Sequence, residues 1–180
     1  MHQGGGRPGG AFRGGAQATP AISLSRHYLK DGYFDAHGHL RPDLLTTKER
    51  PSLNMDQGAA TDLDRALHAL KFGPIRNAYN ESGIKTAQLR KFYNQAKQLE
   101  SRLRGGQAIG DVTAGLLRLE ESAAYAVGRE VACEALVDFM RLNIREARRS
   151  EKHVMQGFIP HFEAVVAYTT YYWGDKEGRR

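Results

Sequence analysis

Two clusters of cationic side chains and one histidine pair hold most of the chemistry this sequence offers. Between Lys85 and Arg104 stand six Lys/Arg and one acid, Glu100. Arg141, Arg145, Arg148, Arg149 and Lys152 follow at i, i+4, i+7, i+8 and i+11, which lines them on one helical face if the helix persists. Glu134 and Asp138 reach only the first of these arginines, and the four cations beyond it outnumber the neighbouring Glu146 and Glu151. Like charges one turn apart repel, so both clusters are suited to meet a polyanion. With no base-reading motif between them, they would hold a nucleic acid by its phosphates, which fixes position without reading sequence. A solvated face with local pairs such as Asp138–Arg141, each worth about 0.2–0.5 kcal/mol, uses the same residues.

Asp35-Ala-His37-Gly-His39 has the His-X-His spacing that puts two imidazoles on one side of an extended strand. Metal-dependent hydrolases use such a pair, but inside a barrel of about 250 residues with alternating strands and helices. This chain has 180 residues and no sequence of strands to match. His27 or Asp35 would have to complete even a structural metal site. His68, His153 and His161 lie in helical patterns without a partnered nucleophile. Cys133, the only cysteine, sits in the apolar run Val131-Ala-Cys-Glu-Ala-Leu136, where a small buried hydrophobe is expected. These readings point to a protein with no catalytic residues, no metal and no cofactor.

The elements that must carry the cations are helices. Leu89, Phe92, Tyr93, Ala96, Leu99 and Leu103 fall within one arc when the chain is wound at about 100° per residue. Arg90, Asn94 and Lys97 fall on another side, with Lys91 and Gln98 further round. That helix is expected from Thr86, as its N-cap, to about Arg104, with Gly105-Gly106 breaking it. A first helix is expected over Asp56 to Phe72, with Leu63, Ala66, Leu67 and Leu70 inward and Gly73-Pro74 as its stop. A third spans Asp111 to Val127 (Leu116, Leu119, Ala123, Val127 inward). A fourth spans Arg129 to Arg149 (Leu136, Phe139, Leu142 or Asn143, Ala147 inward). Ser150 caps a fifth that ends near Trp173, with Val154, Phe158, Phe162, Val165 and Tyr168 or Thr169 inward, and Pro160 kinking or splitting it. No segment alternates well enough for a strand. The fold class is all-α, a compact bundle of about five helices with a flexible Gly/Arg-rich N-terminal extension.

In domain terms, 1–20 is a disordered Gly/Arg-rich tail, 21–54 an irregular extension, 55–173 the helical bundle domain and 174–180 a C-terminal tail. The first 15 positions hold seven glycines, too little apolar surface to offset ordering entropy. Arg7 and Arg13 among them resemble a short Arg-Gly segment of the kind that contacts RNA. Residues 21–54 have aromatics, three histidines, Pro42 and Pro51 but no period, and are expected to form turns that a partner orders. The chain carries 26 Lys/Arg against 20 Asp/Glu, a net charge of +6 and a pI near 9.5, which agrees with a nucleic-acid partner without requiring one. A lone cysteine permits no intramolecular disulfide. No run of about 18 apolar residues could span a membrane, and glycines stand where a signal peptide needs an apolar stretch; a cytoplasmic protein is expected.

Lys85-Thr-Ala-Gln-Leu-Arg-Lys-Phe-Tyr-Asn-Gln-Ala-Lys97 resembles the second-helix signature of the small helical subunit of type III-A (Csm) CRISPR–Cas effector complexes. Phe162-Glu-Ala-Val-Val-Ala-Tyr168, following a basic helix, is similar to the way members of that family end. The resemblance covers roughly Met55 to Trp173. It implies a non-catalytic subunit for antiviral defence, several copies of which line up beside a filament of larger backbone subunits. Its implied partners are CRISPR RNA and target RNA, the backbone subunits, the large polymerase-like subunit and other copies of itself. By position the resemblance assigns RNA contact to Gln88, Arg90 and Lys91. Charge geometry extends the assignment to Lys85, Lys97, Arg141, Arg145, Arg148, Arg149 and Lys152. Residues 1–54 depart from the family pattern. The competing reading is a self-associating helical scaffold that pairs its cations with acidic proteins, using Phe162, Tyr168, Tyr171, Tyr172 and Trp173 as the association patch.

Overall fold

The computed structural model describes residues 22–75 and 82–174, and among them the chain forms five α-helices. The Gly/Arg-rich tail expected to be flexible lies outside the described residues, as do Arg7, Arg13 and the last six positions. The helices are α1 (Asp62–Phe72), α2 (Thr86–Arg104), α3 (Ile109–Gly128), α4 (Ala135–Ala147) and α5 (Ile159–Trp173). A six-residue π-helical turn, His153–Phe158, leads directly into α5. Among the described residues there is no strand, only the isolated bridges Phe34–Leu40 and Pro74–Ser82. The all-α expectation holds.

The inward stripes read from the sequence are buried, save Tyr93, which is only partly so. Four helix starts differ, that of α3 only by two residues (Ile109 rather than Asp111). The first helix begins at Asp62 rather than Asp56. Thr61 accepts a hydrogen bond from the Asp64 N–H while the Asp64 carboxylate accepts one from the Thr61 N–H, each at 3.0 Å. This reciprocal cap fixes the helix start at that point. For α2 the cap is Lys85, in extended conformation, and Thr86 is already helical. The fourth helix starts at Ala135, not Arg129, because Glu130 adopts φ 60° and turns the chain out of the helix. Asn143, not Leu142, takes the inward place on α4; it is fully buried while Leu142 is only partly so.

Pro160 does not split the last helix, which runs unbroken through it from the π turn at His153–Phe158. It lacks an N–H and its ring presses on the carbonyl one turn earlier. The wider π turn immediately before it takes up that misfit. Ser150 does cap this segment, its hydroxyl accepting from the His153 N–H at 3.3 Å.

Residues 22–54, expected to await a partner, are ordered against the bundle itself. Tyr28, Leu29, Tyr33 and Leu44 belong to the same buried cluster as the helical stripes. One hydrogen-bonded chain joins them to the helices. The Tyr33 hydroxyl donates to Asn143 Oδ1 at 2.9 Å, and Asn143 Nδ2 donates to the Tyr28 hydroxyl at 2.7 Å and to the Phe139 carbonyl at 2.8 Å. The Leu44 carbonyl can only accept, so His161 donates to it from Nδ1 at 2.7 Å. Nε2 of His161 therefore accepts from Tyr28, also at 2.7 Å. A second tie is ionic: the fully buried Asp62 carboxylate is held by Arg41 at 2.9 Å and Arg65 at 2.8 Å. Buried charge is tolerated because both of its oxygens are matched.

The close approach of the extension depends on Gly157. A Cβ there would lie 2.4 Å from the Tyr33 ring. Gly157→Ala is expected to lower stability by about 1–3 kcal/mol through overpacking, read from a shifted midpoint in urea unfolding. An unshifted midpoint would mean that Tyr33 does not seat on the π turn.

Candidate nucleic-acid interface

The two basic clusters lie on helices that flank α3, since α3 packs against both α2 and α4. On α2, Lys85 is exposed at the helix start, where the positive end of the helix dipole disfavours a cation. Arg90 is exposed and leans toward α5, with its guanidinium 3.2 Å from Thr170 Oγ1. Gln88 and Lys91 turn the other way, into a shallow groove between α2 and α3 that also includes Gln95, Ser122, Tyr125 and Arg129. Lys97 is ion-paired to the buried Glu100, which Arg104 also holds at 2.7 Å. Burial alone would raise the Glu100 carboxyl, but the hydrogen bonds and charges of Lys97 and Arg104 outweigh it and keep it below its ordinary range. One carboxylate shared by two cations leaves this end of α2 net positive.

The second cluster is not the single stripe the spacing predicts. The helix does not persist: α4 ends at Ala147 and the chain turns through 148–150 before helix resumes. Lys152 is carried away from the others, donating to the Gly38 carbonyl at 2.8 Å with its ammonium 4.6 Å above the Phe34 ring centre. Arg141 is paired with Glu120 at 3.0 Å and Asp138 at 3.3 Å. Glu146 serves Arg149 at 2.9 Å and Arg145 at 3.9 Å. Arg148 is exposed and has no ion pair among the described residues. The side chains of Arg141, Arg145 and Arg149 remain more than half exposed, and exposed pairs hold only about 0–1 kcal/mol, so they can be exchanged for phosphate oxygens.

The fold adds cations that the sequence did not bring together with these. Arg26 and Lys30, from the irregular extension, line one groove of about 430 Å³ with Arg141 and Arg145, against the single acid Asp138. Tyr28 and Leu24 help to line it. No periodicity marks Arg26 or Lys30, so only the long-range seating of the extension reveals them. Tyr125 and Arg129 were likewise missed. Their i, i+4 spacing was the available signal: the Arg129 guanidinium stacks 5.7 Å from the Tyr125 ring centre.

The other reactive types are engaged in structure. Asp35 Oδ1 accepts from the backbone N–H groups of His37 and His39 at 2.8 and 2.9 Å, and Gly38 takes φ +79°. The Asp-Ala-His-Gly-His motif is thus a tight turn. Among the described residues no group of three His, Cys, Asp or Glu is placed to hold a metal. Cys133 is buried, with its thiol directed at the last carbonyls of α1, Ala69 and Leu70, and burial pushes its pKa up to about 11. His68 donates to the Leu53 carbonyl and accepts from Gln57. Trp173 is buried on Phe72. No helix among the described residues is long and apolar enough to cross a membrane.

No curated protein and no solved structure matches the chain. The family model described as Csm2 Type III-A matches residues 64–175, from the capped start of α1 to just past Trp173. The matched region contains both basic clusters and all five helices save the first two residues of α1, and it leaves out Arg26 and Lys30. The chain therefore belongs to the Csm2 family, the small structural subunits of type III-A CRISPR effector complexes.

Proposed function

We propose that this subunit lines the guide–target RNA duplex of its effector complex through phosphate contacts that do not read sequence, and stacks with copies of itself. The observation that carries this reading is the groove shared by Arg26, Lys30, Arg141 and Arg145, with Arg148 and Arg149 following at the end of α4. Its cations come from two separate parts of the chain, and Asp138 is the one acid lining it. The two sides of α2, with Arg90 toward α5 and Gln88 and Lys91 toward α3, supply further contacts together with Lys85 and Lys97, and Lys152 adds a separate one beside Gly38. The subunit has no catalytic role in this reading. It works in the cytoplasm, beside the backbone subunits and the large polymerase-like subunit.

Arg145, Arg148 and Arg149 together reversed to Glu are expected to weaken RNA binding and to flatten its salt dependence. Each phosphate contact adds about 0.7–0.9 to the slope of log affinity against log salt. Loss of three should therefore remove about 2–3 from it. Filter binding over a salt series measures this, with circular dichroism as the control for helicity. An unaltered slope in a folded variant would remove this face from the interface. One observation favours the self-associating scaffold: Tyr171 is 79% exposed at the end of α5. That reading predicts dimerisation lost in Tyr171→Ala and no RNA affinity at physiological salt.

A further inference from the structure

The groove between α2 and α3 has a chemistry that phosphate contact does not need. It is about 190 Å³, smaller than the ~300–1,000 Å³ pockets that hold drug-sized ligands, and it suits one planar ring rather than a whole cofactor. Tyr125 forms one wall and is 68% exposed. Phe92, Ala126 and Val131 supply apolar surface beneath it. Gln88 and Gln95 bring carboxamides, each able to donate and accept, and Ser122 brings a hydroxyl. Lys91 and Arg129 bring positive charge, and no carboxylate lines the groove.

We infer that this groove holds a single unpaired nucleobase of a bound RNA, stacked on Tyr125 with its edge facing Gln88 and Gln95. The inference rests on the RNA-binding reading above and adds to it a contact made by a base. Bases stack on exposed aromatic rings with little regard to sequence, because every base has a π face. Carboxamides tolerate different base edges for the same reason that they donate and accept. The Arg129 guanidinium lies over one face of Tyr125, 5.7 Å from the ring centre, and with Lys91 supplies positive charge for the phosphates that flank the base. An acidic peptide would find the two cations but would leave the carboxamides and the open aromatic ring without a purpose.

Two fluorescently labelled ten-nucleotide single strands test this on the full-length protein: an ordinary RNA, and a strand of the same length and charge without bases. The RNA is expected to bind more tightly. Tyr125→Ala should cost about 5- to 150-fold in affinity for the RNA. It should leave the baseless strand and the salt slope unchanged, and Tyr125→Phe should restore the affinity. Because the ring is exposed, the Ala variant should melt with the wild type. Equal binding of the two strands, or an unaffected Tyr125→Ala variant, overturns the base site while leaving the phosphate reading intact. A Tyr125→Ala effect confined to self-association, seen by sedimentation, overturns it in favour of a contact between copies. Failure of the wild type to bind either strand overturns the base site, and the phosphate reading falls with it only if an RNA duplex of the same length is not bound either.

Discussion

Asn143→Ala is expected to lower the stability of this protein by about 2–4 kcal/mol, far more than an exposed polar substitution on the same helix. Asn143 is fully buried and joins three elements. Its amide donates to Tyr28, its oxygen accepts from Tyr33, and Tyr28 passes the chain on to His161 and α5. Each net hydrogen bond in a protein holds about 0.5–1.5 kcal/mol, and a buried group left unpaired costs about 1–3 kcal/mol. Tyr33 keeps one partner in the variant, the Asn143 backbone carbonyl at 3.0 Å, whereas Tyr28 loses its only donor. The truncation also leaves a cavity beside Phe139. Urea unfolding measures the loss, and limited proteolysis should show residues 22–54 cut first. A variant as stable as the wild type would mean that the extension is not held by this network.

Acid is the second sensitivity, and its sign follows from His161. Burial pushes this imidazole down to about 4, despite its hydrogen bond to Leu44 and the nearby Asp62 and Asp43. In the unfolded chain it titrates near 6.5. Between these values the unfolded state holds the proton and the native state does not, so stability falls as pH falls through that window. Above pH 6.5 both states are neutral and the contribution is intact; by pH 4 about 3 kcal/mol is lost. His161→Gln is the control. It should be less stable at pH 7 but should lose less on acidification. A wild-type profile flat from pH 7 to pH 4.5 would show that His161 is not sealed in this core.

The sequence made the helices legible because one-dimensional periodicity is enough to find a buried stripe. Leu89, Phe92, Ala96, Leu99 and Leu103 were all placed inward and are all buried, and Gly105-Gly106 ends α2 with φ +88° at Gly106. It was less informative wherever one residue answers to a distant one. Nothing near Tyr28 in the sequence announces His161, and nothing near Arg41 announces Asp62. Residues 22–54 therefore read as turns that a partner orders, although they close the core of the chain itself. Charge pairing was partly hidden for a related reason. Counting neighbours gave Arg141 only Glu134 and Asp138, but Glu120 also comes from α3 to meet it. The assumed continuous helix would have aligned Lys152 with them, and the turn after Ala147 sends it to Gly38 instead. The same long-range folding that paired Arg141 also brought Arg26 and Lys30 into its groove, so the basic surface is differently composed rather than absent.

These placements give the family assignment a physical form. A helix such as α2 buries one side in the bundle and keeps Lys85, Arg90 and Lys91 in solvent, so one element serves both stability and charge display. The ordered extension widens that display beyond the region matched by the family. On the proposed reading, a backbone already folded to hold Arg26 and Lys30 beside Arg141 and Arg145 lowers the ordering cost of phosphate contact.

The most direct test is recovery of the tagged protein from its native host at moderate salt, followed by sizing and sequencing of the RNA bound to it. A uniform short RNA with a repeat-derived 5′ end, retained together with larger partner proteins and reduced when Arg145, Arg148 and Arg149 are reversed to Glu, is the predicted result. Protein recovered without those partners, or with mixed RNA that washes away at modestly higher salt, would contradict the account.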